Sequence, residues 1–132
     1  MIGLADTSIF IAWGSASALE NEPPDEIAVS VITIGELRLG VLLAADVGSR
    51  ERRLATFQLA SSLDPVPIDQ AVADAWAGLV AALRDRGQRM PINDSWIAAT
   101  AIAHDMAIVT RDHDFDVVDG VQVVRLCPSE GP

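Results

Sequence analysis

Short apolar runs alternate along the chain with longer stretches in which apolar residues recur at helical spacing. Ile2 to Ala5 is too short for a helix and ends at Asp6-Thr7-Ser8, ahead of Ile9-Phe10-Ile11-Ala12-Trp13. This reads as a buried strand, a turn with Asp6 at its mouth, and a helix capped by Thr7 or Ser8. Polar residues from Gly14 to Glu26, with Pro23-Pro24, read as a loop or a frayed helix end. Ile27-Ala28-Val29 predicts a second strand, and Ser30 caps a helix running to Asp46, on which Ile32, Gly35, Glu36 and Leu39 share a face. Gly48-Ser49 reads as its break, and Arg50 starts a further helix carrying Leu54, Phe57, Leu59 and Leu63. Residues 65–69, Pro-Val-Pro-Ile-Asp, predict a short strand, after which Asp69 caps a helix presenting Val72, Trp76, Leu79, Val80 and Leu83 and stopping at Gly87. Asn93 or Asp94 opens an alanine-rich helix, whose Ala98, Ala99, Ala101 and Ala103 let it lie close to a sheet. The buried strand Ala107-Ile108-Val109-Thr110 follows, then a burst of acids, a last strand from Val121 to Leu126 and a loose tail from Cys127.

Strands separated by helices of ten or more residues imply a parallel sheet covered on both faces. The expectation is therefore one α/β domain over residues 1–132, a three-layer α/β/α sandwich with a central parallel sheet of about five strands. At 132 residues the chain buries a real core without staples. No internal repeat or low-complexity tract interrupts it.

Composition narrows the chemistry. No apolar run reaches the length of a bilayer span, since Asp6 interrupts the first and Glu36 and Arg38 the second. The N-terminus has no basic region or cleavage site of a signal peptide. Cys127 is alone, which excludes an internal disulfide and a cysteine-based zinc cage, so a reducing, cytoplasmic location is expected. The formal net charge is −10, and all nine basic residues are arginine. Without lysine, neither a P-loop nor the lysine-assisted aspartate sites of receiver domains and phosphatases can be built. Acidic excess argues against nonspecific affinity for nucleic acid, unless bound cations offset it locally. Arg84, Arg86 and Arg89 around Gly87 form the best local candidate for touching phosphate, against the plainer reading of a solvated helix end.

Four acids sit where parallel α/β proteins bind ligands or beside such places: Asp6 after the first strand, Glu36 in the second helix, Asp94 at a late helix start, Asp112 after the fourth strand. Each has an ordinary explanation alone. Asp6 and Asp94 suit turns or caps, and Glu36 could reach solvent or an arginine. The glycines at 35 and 40 cost about 1 kcal/mol each in a helix interior, which points to close approach by another backbone.

Taken together, D-T-S at residues 6–8, S-x-x-x-x-x-E-L at 30–37, I-N-D-x-W-I-A-A at 92–99 and T-R-D-H-D-F at 110–115 resemble the PIN-domain family, and within it the VapC-type toxins of toxin–antitoxin pairs. The resemblance runs from Ile2 to about Leu126. It implies that Asp6, Glu36, Asp94 and Asp112 bind Mg²⁺ or Mn²⁺, with Asp114 accessory and Asp116 weaker. Thr7, Ser8, Asn93 and Thr110 would orient carboxylates or phosphate. Asp6 and Asp112 would hold the principal metal, Asp94 would share it, and Glu36 would position the water or a second ion. The implied activity is endoribonuclease cleavage of RNA phosphodiester bonds by metal-activated water. A small VapB-like antitoxin and a second copy of the chain are the implied partners, with no membrane.

The residue types suit that chemistry. Hydrolysis without a nucleophilic side chain needs an activated water and a counter-charge for the leaving oxygen, which two divalent ions about 3.5–4 Å apart supply. Mg²⁺ takes hard oxygen ligands, so His104 and His113 are not needed and read as structural or surface groups. Crowded carboxylates repel, so at least one should have a raised pKa. Two alternatives stand beside this reading: another metal-dependent nuclease or phosphoesterase on the same fold, and a catalytically silent module whose acids grip a basic partner.

Overall fold

The computed structural model describes residues 1–14 and 25–126; the loop expected between Gly14 and Glu26 falls largely, and the tail from Cys127 wholly, outside them. The elements follow as β1 (Ile2–Ala5), α1 (Thr7–Gly14), β2 (Glu26–Ala28), α2 (Val31–Leu42), α3 (Val47–Ser61), α4 (Gln70–Asp85), α5 (Ile92–His104), β3 (Ala107–Thr110) and β4 (Val123–Arg125), with a 3₁₀ turn at Asp114–Val117. The strands form one parallel sheet in the order β2-β1-β3-β4.

Alternation along the strands divides the core. Leu4 of β1 and Ile108 of β3 pack with Leu79 and Leu83 of α4 and with Ile97, Ala98 and Ala101 of α5. Their neighbours Ala5 and Val109 point the other way, toward Ile9 and Phe10 of α1, Leu37 of α2 and Ala60 of α3. The result is the α/β/α sandwich that the sequence predicts, with α1–α3 on one face and α4 and α5 on the other. Ala98, Ala99 and Ala101 are fully buried, so small side chains do let α5 approach the sheet.

Among the described residues four strands form the sheet, against the about five expected. The segment around Val66 joins β2's edge through one bridge: Val66 N–H donates to Val29 O at 2.8 Å, and Val31 N–H donates to Val66 O at 3.1 Å. Pro65 and Pro67 on either side have no N–H to extend it.

The break between α2 and α3 also lies earlier than the glycine signal suggests. α2 ends at Leu42, and Asp46 caps α3 by accepting Ser49 N–H at 2.7 Å, which leaves Gly48 inside the first turn. Other caps form as read: Ser30 accepts Ile32 N–H at 3.1 Å, Asp69 accepts Val72 N–H at 3.0 Å, and Gly87 turns α4 off at φ 66°. Neither Gly35 nor Gly40 is required by a backbone among the described residues: none of them lies within 4 Å of a Cβ placed on Gly35, and one on Gly40 meets only the Arg53 Cδ. Leu39, read as sharing a face with Ile32, Gly35 and Glu36, is exposed, while Thr33, Leu37 and Val41 form the buried side of α2. No helix among the described residues is long and apolar enough to cross a membrane.

Candidate active site

Two adjacent strands, β1 and β3, end side by side, and their following residues meet. Asp6 is nearly inaccessible at 2% exposure. Ser8 Oγ donates to its Oδ1 at 2.6 Å, Ile9 N–H donates to the same oxygen at 3.3 Å, and Thr110 Oγ1 donates to Oδ2 at 2.6 Å. Asp6, not Thr7 or Ser8, is therefore the side chain that caps α1. Ser8 Oγ in turn accepts Arg111 N–H at 3.1 Å, which ties the two strand ends together. A carboxylate offers about four lone-pair directions. Oδ1 uses two and Oδ2 one, so the remaining direction is on Oδ2.

Glu36 neither swings to solvent nor finds an arginine. Its Oε1 accepts Thr7 Oγ1 at 2.7 Å, and Thr33 Oγ1 lies 3.3 Å from the same hydroxyl. Thr33, fully buried three residues before Glu36, was not singled out in the sequence; a polar residue at i−3 on the same helical face was its signal. Asp94 sits third in α5 and not at its cap, which is Pro91 with no side-chain hydrogen bond. The helix thus starts at Ile92, ahead of the expected Asn93 or Asp94, and the Asp94 carboxylate lines the cleft from within its first turn.

Asp6, Glu36, Asp94, Asp112 and Asp114 line one cleft of about 480 Å³, together with Thr7, Ser8, Asn93, Ile11, Pro91 and Ile92. Thr110 stands behind Asp6, and its Oγ1 accepts Asp112 N–H at 3.0 Å. The nine site residues read from the sequence thus converge, eight on the wall and Thr110 beneath it. Asp116 does not join them. It pairs with Arg125 and takes His113 Nδ1 at 3.1 Å, so it anchors the turn after β3 to β4.

The electrostatics follow from crowding. Burial, then the charges of Asp114, Asp6, Glu36 and Asp112, push the Asp94 carboxyl up to about 7. Burial also raises Asp6, against the three donors that hold it. No arginine, lysine or histidine is among the residues lining this cleft.

A family profile described as PIN domain matches residues 4–121. The chain belongs to the PIN-domain family. This PIN domain is 50% identical over 128 residues to Ribonuclease VapC4 of Mycobacterium tuberculosis (strain ATCC 25618 / H37Rv), covering 93% of this chain and 95% of that one. Ribonuclease VapC5 of the same strain is 41% identical over 128 residues, covering 94% and 95%. Among solved structures, VapBC-5 from Mycobacterium tuberculosis, a member of the VapBC family of toxin–antitoxin systems, superposes with a TM-score of 0.86 at 39% identity, over 94% of this chain and 98% of that one. The PIN domain is accordingly of the VapC type.

The donor set of this PIN domain suits a hard divalent ion. Every charged group lining the cleft is a carboxylate, and the charge they accumulate has no cationic side chain among the lining residues to balance it. Among the described residues no three acids are drawn close enough to cage one ion. They surround open space instead, which fits an ion that keeps several waters and touches few side chains directly.

Proposed function

We propose that this chain is the ribonuclease toxin of a toxin–antitoxin pair and hydrolyses RNA phosphodiester bonds with divalent metal. The observation that supports the chemistry most is the unbalanced cleft: five carboxylates from four separate segments, with Asp94 pushed up to about 7 by burial and its neighbours. Mg²⁺ or Mn²⁺ bound there would activate water and offset charge on the leaving oxygen.

The chain's own residues prepare that chemistry. Asp6, fixed by Ser8, Thr110 and the Ile9 N–H, presents its free Oδ2 direction as the principal ligand with Asp112. Asp94 would share the ion by way of its hydration shell, and Asp114 would add negative field beside it. Glu36, oriented by Thr7, positions the water or a second ion. Asn93 supplies an uncharged polar group on the same wall.

Partners follow from the same family. We assign to the chain a VapB-like antitoxin and a homodimeric state. Leu39, Leu42, Leu43 and Val47 are more than half exposed around the α2–α3 corner, an apolar surface of the kind partners cover. The space around Gly35 leaves room for a foreign backbone.

The test is incubation of the purified chain with structured RNAs, single-stranded DNA and a phosphomonoester mimic, in Mg²⁺, Mn²⁺ and EDTA. RNA cleavage is expected only with metal, and Asp6→Asn or Asp94→Asn should abolish it. Hydrolysis of the monoester alone would sink the ribonuclease reading.

A further inference from the structure

A second cavity of about 330 Å³ adjoins the acidic cleft and shares Thr7, Ile11 and Glu36 with it. It is also lined by Leu37 of α2 and by Arg52 and Arg53 of α3. Resting on the ribonuclease reading above, we propose that this cavity is a subsite for the nucleotide flanking the bond that is cut. Arg52 and Arg53 take its phosphate, and Ile11 and Leu37 wall its ribose and base.

Three observations carry this. The first is continuity: a polynucleotide whose reacting phosphate lies among the acids must leave the cleft along some wall, and the wall formed by Thr7 and Glu36 leads directly into this cavity. The second is charge. A chain of net charge −10 needs local cations to hold RNA, yet several arginines are already engaged. Arg86 is bound to Asp119 and Val117 O, Arg125 to Asp116, and Arg38 lies over the Phe57 ring. Arg52 and Arg53 form no ion pair among the described residues. Arg52 donates to Ser49 Oγ at 3.2 Å and Arg53 to Gly40 O at 2.7 Å, contacts that aim the guanidinium groups without neutralising them. Asp46 feels both charges, but only as minor influences beside its hydrogen bonds to Ser49. The third is shape. The cavity is lined by the apolar Ile11 and Leu37 together with the two arginines and a single acid, Glu36, which matches a nucleotide's apolar faces and single anionic group.

The test is binding of a fluorescein-labelled, mixed-sequence single-stranded RNA 12-mer in Mg²⁺ across a salt series, to the full chain and to Arg52→Gln/Arg53→Gln, with cleavage of total RNA followed for both. The variant should bind roughly tenfold more weakly, and its log affinity against log salt should be shallower by about 0.7 for the one phosphate released. The Arg52→Lys/Arg53→Lys variant should keep the wild-type slope. Because Arg53 also holds Gly40 O, Arg52→Gln alone provides the decisive variant if the double one does not fold, with about half the change in slope. Unchanged affinity and slope would overturn the subsite while wild-type cleavage of RNA leaves the ribonuclease reading standing. The same result with loss of the co-expressed antitoxin would assign the cavity to the partner and equally overturn it. If wild-type protein neither binds nor cleaves RNA, both readings fall.

Discussion

Thr110 donates its hydroxyl to Asp6 Oδ2 at 2.6 Å across 104 residues of sequence, and Thr110 Oγ1 itself accepts Asp112 N–H at 3.0 Å. One fully buried hydroxyl therefore sets the orientation of two acids from opposite ends of the chain. Thr110→Val keeps the branched shape but leaves the Asp112 N–H without its acceptor and removes a donor from Asp6. The expected loss is about 1–3 kcal/mol of stability and roughly 10–100-fold in metal affinity or cleavage rate. Thr110→Ser should retain most of both. Denaturant titration and metal-dependent cleavage of the two variants check this; equal rates for wild type and Thr110→Val would remove Thr110 from the site.

The Asp94 carboxyl gives a pH dependence with a defined sign. Its pKa rises from an ordinary 3.8 to about 7 in the folded chain. Between those values the native state holds a proton that the unfolded state has released, so metal-free stability falls as pH rises through the window. The penalty is absent below the unfolded pKa and complete above the folded one. Asp6, also raised, acts in the same direction. Denaturation midpoints in EDTA should therefore fall between about pH 4 and pH 7. Asp94→Asn should flatten that slope and be at least as stable as wild type at the upper end. Adding Mg²⁺ should restore wild-type stability there, since the ion favours the charged form. A loss of several kcal/mol by Asp94→Asn in EDTA would instead make Asp94 a structural residue.

Much of this site was readable because its acids follow apolar runs. Asp6 comes directly after Ile2–Ala5, and Asp112 two residues after Thr110, so naming the strands named the acids. The parallel order then brings β1 and β3 together without further information. What was not readable depends on partners distant in sequence. Whether Asp94 capped its helix or turned inward rested on where the helix began: Asn93 and Asp94 were both plausible starts, and the fold begins it at Ile92, after Pro91. The roles of Arg52, Arg53 and Arg86 depended on what the fold placed opposite them, which no spacing encodes. Gly48 misled for a local reason: Ala44 and Ala45 favour helix, so the sequence offered a glycine break in place of the true one at the Asp46 cap. Likewise Pro65-Val66-Pro67 has the apolar spacing of a strand but only one usable N–H.

The acids after β3 can be separated by experiment. Asp114 lines the cleft and raises Asp94, whereas Asp116 is held by Arg125 and His113. Asp114→Asn should weaken metal binding, lower the Asp94 pKa and leave the fold intact. Asp116→Asn should cost stability, by about 1 kcal/mol at this half-exposed position, with little change in metal affinity. Isothermal titration with Mn²⁺ and thermal unfolding of both variants discriminate them, and the reverse pattern would exchange the two roles.

Packing of α1 on α3 supplies a test independent of the chemistry. A Cβ placed on Gly14 would lie 2.1 Å from Thr56 Oγ1 and 3.3 Å from Thr56 Cβ. The first distance is impossible, so Gly14→Ala must rotate Thr56, which also breaks its 3.2 Å bond to Arg52 O, or move the helices apart. The expected cost is about 1–3 kcal/mol. Thr56→Ala removes the offending hydroxyl and leaves a contact that a shift of a few tenths of an ångström relieves. Gly14→Ala/Thr56→Ala should therefore lose much less stability than the two single changes added together, a coupling measurable by a double-mutant cycle. Additive losses would mean that the helices accommodate a side chain at position 14 without Thr56 taking part, and that this glycine is not what sets their separation.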